Sequence, residues 1–266
     1  MKLLALMLSG LIVFSSPIGG LINQKAEAAI RSQFESIEAL EVRVDHTPGY
    51  QLMQGKVAPV HVAGQGLFPV PDLRIAALAV ETEPLDFDVK RLGQGQPVLD
   101  QPLQASVQLT LAANDINQWL RSPTTLEKLN TWGRGWLSPP QWVEVQRYDL
   151  RDPEVHCLAN QRLRLQAQLN DRQEQATLNL VIETGLGIVA NRQLQLVDPV
   201  VTLNDEAASA LFIKFLTEGI RRKLDLRILA NSGLMVNVSK LTIEPETVEV
   251  AMLLRIDPAS RLLSGN

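Results

Sequence analysis

The chain has 266 residues, 45% of them hydrophobic, 20% charged and only 5% aromatic, with a formal charge of −4. That length suffices for a folded core in one large domain or two small ones, and an acidic chain with a sequence pI near 5.5 lacks the basic stripe that grips a phosphate backbone, which excludes a nucleic-acid role. The single cysteine, Cys157, excludes an internal disulfide and fits a small buried apolar residue.

Residues 3–14, Leu-Leu-Ala-Leu-Met-Leu-Ser-Gly-Leu-Ile-Val-Phe, follow Lys2 and have the length of a secretory h-region. They are too short to span a bilayer, which takes about 20 apolar residues. The A-x-A site Ala26-Glu27-Ala28 lies well beyond them. Residues 1–20 are therefore read as an apolar leader, signal-like or membrane-associating, ahead of a single domain over 21–260. From Ile18 the apolar positions Ile18, Ile22, Ala26, Ile30, Phe34 and Ile37 recur at helical spacing and predict an amphipathic helix over 18–40.

Strand-like segments follow at 41–46, 50–63, 73–82 and 86–90, separated by Pro48-Gly49, by Gly64-Gln65-Gly66 with Pro69 and Pro71, and by Glu83-Pro84; 93–102 reads as a loop. Over 103–111 the apolar set Leu103, Ala105, Val107, Leu109 and Leu111 alternates with polar residues, the period of a strand with one greasy face. Asn114 is the expected cap of a short helix with Ile116, Trp119 and Leu120, and Ser122-Pro123 restarts one through Leu126, Leu129 and Trp132 until Pro139-Pro140. Residues 142–203 give four or five strands with turn signals at Asp152-Pro153, Asn170-Asp171, Gly185–Gly187 and Asp198-Pro199; the alternation is cleanest at Leu163, Leu165, Ala167 and Leu169. Asn204 is the expected N-cap of a helix carrying Leu211, Phe212, Phe215, Leu216, Ile220 and Leu224, ending in Arg221, Arg222 and Lys223. Two last strands lie at 234–243, where the apolar parity changes between Val238 and Leu241 as at a bulge, and at 247–256, with Val248, Val250, Met252, Leu254 and Ile256 on one face.

Sequence chemistry is sparse. Gly185-Leu186-Gly187-Ile188-Val189-Ala190 matches G-x-G-x-x-A after a strand, but Leu194 and Leu196 continue at strand spacing where a dinucleotide site needs a helix, so a glycine hairpin is expected. The histidines, His46, His61 and His156, stand apart with no metal-ligand spacing, and His156 and Cys157 point to opposite faces of a strand. No G-x-S-x-G elbow or paired carboxylates anchor catalysis. All four tryptophans, Trp119, Trp132, Trp136 and Trp142, fall in one helical, proline-bounded excursion that suits a docking tip or the core of a small helical subdomain.

Several blocks are characteristic in their order: Ala29-Ile30-Arg31-Ser32-Gln33-Phe34, Val42-Arg43-Val44, Leu52-Met53-Gln54-Gly55-Lys56-Val57, Leu73-Arg74-Ile75-Ala76-Ala77-Leu78 and Ala113-Asn114-Asp115-Ile116-Asn117. They resemble the LmeA-like phospholipid-binding family, which has cyanobacterial members, over nearly the whole chain after about residue 20. The resemblance implies an α+β fold in which a long curved antiparallel sheet wraps around amphipathic helices, as in tubular lipid-binding proteins. It implies a phospholipid ligand and brings no catalytic motif.

The expected function is non-enzymatic binding or carrying of phospholipid through an aliphatic cavity, with no cofactor, no metal and no nucleic acid among its partners. The lining is expected from Leu109, Leu165, Val250 and Met252 on the strands and from Leu211, Phe215 and Leu216 on the helix. Arg221 and Arg222 are headgroup candidates, complementing the helix dipole being the plainer account of them. The expected location is the cell envelope or a membrane surface, with the periplasmic and cytoplasmic sides both open. The alternative is a structural or interaction protein with a closed core that binds a protein partner, of unknown identity, through the tryptophan-rich excursion; a third class is an enzyme acting on a lipid or glycan.

Overall fold

The alternating runs are strands, as their period of two requires. The computed structural model describes residues 27–28, 30–93, 98–136, 148–171 and 176–260, without the side chains at 92, 93, 132–136 and 215. The leader, Pro139-Pro140 and Trp142 lie outside the described residues. The chain divides into two compact units, one from Met1–Thr110, Leu226–Lys240 and Glu249–Asn266, the other from Leu111–Asp225 and Leu241–Val248.

In the first unit, residues 27, 28, 30 and 31 are helical, with the Ser32 N–H donating to the Ala28 carbonyl at 3.0 Å. The chain then leaves helix for strand β1, Ser36–Val44, so the helix predicted over 18–40 ends earlier than expected, with Ile30 and Phe34 buried. After Pro48, a single helical turn α1, Gly49–Met53, occupies part of the segment predicted as strand 50–63. It leads through Gly55 into the short strand β2, Lys56–Val57, and then β3, Val60–Val70. Gly64 and Gly66, expected to separate strands, lie inside β3, where Gly66 has φ +57 and the register shifts between Leu67 and Val70. β4 is Leu73–Thr82 and β5 Leu85–Asp86, followed by a short helix α2, Val89–Gly93, and by β6, Leu103–Ala112. Near the C-terminus a 3-10 helix, Leu226–Ser232, precedes the hairpin β12, Leu234–Glu244, and β13, Thr247–Ile256.

The six-stranded sheet has the order β1-β3-β4-β6-β13-β12. Antiparallel register across its first four strands stacks Val42, Val62, Val80 and Val107 in one row and Leu40, Gly64, Leu78 and Leu109 in the next, on the core face. In β12 the buried positions pass from even (Leu234, Val236, Val238) to odd (Ile243), the parity change expected there.

The second unit opens with α3, Ala113–Arg121, and α4, Pro123–Trp136. Asn114 sits in the first turn of α3 rather than at its N-cap, which is Ala112. Ser122 starts α4 as predicted: the Leu126 N–H donates to its carbonyl at 2.9 Å. Four long strands follow, β7 Tyr148–Leu158, β8 Arg162–Asp171, β9 Thr177–Val189 and β10 Gln193–Leu203, with β11, Glu206–Ala207, completing the sheet order β11-β10-β9-β8-β7.

Three predicted turns prove to be interior to these strands. Asp152-Pro153 and Asp198-Pro199 are bulges, with φ of +46 and +45 at the aspartates and register shifts between Arg151 and Glu154 and between Val197 and Val200. Gly185 and Gly187 lie within β9, pairing with Val197 and Gln195 of β10. The strand–hairpin–strand context removes the dinucleotide site, since no helix opens on these glycines. The hairpin itself turns at Ala190-Asn191, with φ of +49 and +57. Asn204-Asp205 likewise forms a hairpin turn, and the following helix α5, Ala210–Lys223, is capped by Ser209, whose Oγ accepts the Phe212 N–H at 3.2 Å. The described structure is thus mostly antiparallel sheet with a few helices, an open α+β arrangement; among the described residues no helix is long and apolar enough to cross a membrane.

Candidate functional site

The two sheets each have a polar face and an aliphatic one, and the aliphatic faces are only partly covered. In the second unit, register places Val155, Leu165, Ile182 and Val201 in one row and Ala167, Leu180 and Leu203 in the next. Leu180, Ile182 and Val201 are buried, while Leu165, Leu169, Leu203, Phe212, Ile213 and Leu216 pack against them and stay half-buried. α5 lies along β10, because its positions 212, 213 and 216 share a helical face. The sequence-predicted Leu165 and Leu216 thus meet at one cluster. Leu211, on another side of α5, is 50% exposed; the side chain of Phe215 lies outside the described residues.

In the first unit, the core face of β6 runs from buried Leu103, Ala105 and Val107 to half-buried Leu109. β13 runs from buried Ile256 and Leu254 to half-buried Met252 and Val250. Leu109, Val250 and Met252 therefore share the aliphatic face of neighbouring strands. The predicted lining residues fall into two groups, Leu109, Val250 and Met252 in one unit and Leu165 and Leu216 in the other.

Two neighbouring grooves of about 420 and 290 Å³ run over the opposite, outer face of the six-stranded sheet. Their floor is Ala63, Ala77 and Ala79 and their sides are Glu41, Gln108 and Thr110. At one end Arg43, Asp45, His61 and Glu81 form a charged cluster, His61 Nε2 lying 3.3 Å from Asp45 and its Nδ1 3.9 Å from Glu81.

Two carboxylates on the sheets are held in ion pairs with arginine. The Arg74 guanidinium bonds both carboxylate oxygens of Glu38 at 2.8 Å and holds that carboxyl below the ordinary carboxylate range. Glu183 is held down in the same way, first by hydrogen bonds from Arg164 at 3.0 and 3.3 Å and then by Arg162 at 3.4 Å. A depressed carboxyl stabilises the fold above its unfolded pKa and loses that contribution as pH falls through its folded pKa. The urea midpoint is therefore expected to fall between about pH 5 and pH 3, and Glu183→Gln to flatten that fall modestly, as exposed pairs do; identical pH profiles for Glu183→Gln and wild type would contradict the assignment.

At the end of α5, Arg221 and Arg222 are exposed, and neither has an acidic partner among the described residues. The Leu194 N–H donates to the Leu224 carbonyl at 3.2 Å, which fixes this helix end to the start of β10. Cys157 is buried, which pushes its thiol pKa up and makes it a poor nucleophile. Among the described residues no three His, Cys, Asp or Glu side chains gather as a metal requires.

Two residues to which the sequence assigns no role organise the second unit. Asn117 Nδ2 donates to the Val155 carbonyl at 2.9 Å while its Oδ1 accepts the Val155 N–H at 2.7 Å. Asn130 does the same for Leu150, at 3.2 and 2.7 Å. Each amide takes the place of a neighbouring strand along the edge of β7. Their sequence signal, an Asn inside a helix pattern, is a weak one.

No curated protein and no solved structure matches this chain. The model of the LmeA-like phospholipid-binding family matches residues 13–252, nearly the full length, and the chain belongs to that family.

Proposed function

We propose that the protein binds phospholipid without catalysis and carries it at a membrane or within the cell envelope, seating acyl tails against its half-covered aliphatic faces in the manner of tubular lipid-binding proteins. The observation that carries this reading is the set of half-buried side chains at Leu109, Val250 and Met252 and at Leu165 and Leu169, on the core faces of strands, with Leu216 of α5 packed against the second group, all of which keep contact with solvent. Transferring acyl chain onto such surface is favoured by about 0.8 kcal/mol per CH₂, and a smooth Leu/Val lining accepts chains of varied length. Arg221 and Arg222, which have no acidic partner among the described residues, supply positive charge for a lipid phosphate.

Titration of the purified protein with a fluorescent phospholipid tests the reading through two double variants, Val250→Asn/Met252→Asn and Leu165→Asn/Leu216→Asn. At least one is expected to weaken binding by about tenfold or more, with unchanged circular dichroism, because an amide on the lining must be desolvated by the tail. Arg221→Gln/Arg222→Gln is expected to weaken anionic lipids more than zwitterionic ones. Unaltered affinity in both lining variants would remove the aliphatic faces from the account. It would leave the closed-core interaction protein as the better description.

A further inference from the structure

We propose that the α1–α2 end of the first unit is the surface with which this protein touches a bilayer containing anionic phospholipid. The proposal rests on the phospholipid reading above and adds the place of contact. Tyr50 and Met53, three residues apart on one side of α1, are 63% and 81% exposed, and Val89 at the start of α2 is 46% exposed. Local geometry gathers them. Gly55, two residues after Met53, takes φ +80, its carbonyl accepts the Phe87 N–H at 2.9 Å, and a Cβ on it would lie 3.0 Å from Val89 Cγ2. Pairing of Lys56 with Asp86 holds the two segments together.

Lys56, Lys90 and Arg91 are exposed at the same end. Of the acids beside them, Asp86 and Asp88 are half-buried and Asp100, whose N–H donates to the Asp86 carbonyl at 2.8 Å, is exposed; Asp88 is engaged: its Oδ1 accepts the Lys90 and Arg91 N–H groups at 2.9 and 3.1 Å, and its Oδ2 lies 3.7 Å from Arg91. The exposed charged side chains at this end are thus three cations against one carboxylate, on a chain of formal charge −4. An anionic surface repels the molecule in most orientations and attracts it in this one. Tyrosine and lysine are side chains with apolar bodies and polar tips, suited to the headgroup boundary. Three apolar side chains fall well short of the roughly 800 Å² per partner of a stable protein interface, whereas shallow insertion into a bilayer needs no more than a few.

The test uses the full chain with vesicles of phosphatidylcholine, alone or with phosphatidylglycerol. A polarity-sensitive fluorophore on Met53→Cys is expected to shift to the blue and brighten with the anionic vesicles, while the same label on Gln168→Cys does not respond. The triple variant Tyr50→Ser/Met53→Ser/Val89→Ser is expected to co-sediment with anionic vesicles about tenfold less and to bind soluble fluorescent phospholipid as wild type does. A label at 53 that stays in water while the protein sediments overturns the proposal, as does a triple variant that sediments like wild type, or wild type that ignores both vesicles. Loss of soluble lipid binding in wild type would instead sink the phospholipid reading, and the two failures are distinct.

Discussion

Asn117→Ala is expected to destabilise the protein by about 2–4 kcal/mol, because it strips both partners from the backbone of Val155 at once. The Asn117 side chain is 9% exposed, and its two bonds to Val155, at 2.7 and 2.9 Å, join α3 to β7. An unmade buried hydrogen bond costs the desolvation of the group left behind, so the loss exceeds that of two ordinary exposed bonds. The bulge at Asp152-Pro153 turns Leu150 and Val155, on opposite parities, to the same free edge, and Asn130 serves the first as Asn117 serves the second. Asn117→Asp keeps an acceptor for the Val155 N–H but no donor for its carbonyl, and is expected to recover part of the loss at neutral pH. Urea unfolding checks this: a change below about 0.5 kcal/mol in Asn117→Ala would mean that water replaces the amide freely. The double variant Asn117→Ala/Asn130→Ala is further expected to associate, since it uncovers an unpaired strand edge.

Gly55→Ala is expected to cost about 3 kcal/mol or more. At φ +80 any Cβ is strained, and here it would fall on the Phe87 carbonyl oxygen, a backbone atom fixed by the pairing of β2 with β5. Gly66→Ala offers the contrast. Its φ is +57, but the obstruction is the Glu38 carboxyl group, the end of a flexible side chain that can swing aside at the expense of its bonds to Arg74. Thermal unfolding is expected to show the larger drop for Gly55→Ala. Gly55→Ala should also weaken co-sedimentation with anionic vesicles, since Gly55 sets Val89 beside α1. Equal, small shifts in both variants would contradict the geometry at residue 55.

Where side-chain period alone decides, the sequence was legible. The predicted strands at 73–82 and 247–256 have the observed bounds of β4 and β13, and that at 103–111 differs from β6 by one residue. Asp152-Pro153, Gly185–Gly187 and Asp198-Pro199 were misleading for a physical reason. A positive φ, a missing N–H or a missing side chain is needed by bulges and close strand approaches as much as by turns. Which one forms depends on the opposing strand. At the Asp198 bulge the deciding partners are Thr184, whose hydroxyl donates to the Val197 carbonyl at 3.0 Å, and Arg162, which donates to the Asp198 carbonyl at 3.2 Å. The true hairpin turn at Ala190-Asn191 carries no glycine at all.

The candidate site was legible to the same depth. Alternation identified the aliphatic face holding Leu109, Leu165, Val250 and Met252, but the degree of burial along that face is set by what packs on it. Asn117 and Asn130 were invisible because their partners lie 38 and 20 residues away. The exposure of Tyr50, Met53 and Val89 was equally hidden, since α1 occupies a segment whose β-like composition predicts strand.

The chain is proposed to hold phospholipid on its own aliphatic surface. Native mass spectrometry of the full-length protein purified from cells, followed by lipid extraction of the same sample, tests it most directly. Phospholipid at close to one molecule per chain is the expected result. A lipid-free mass that persists after incubation with mixed phospholipid vesicles would contradict it.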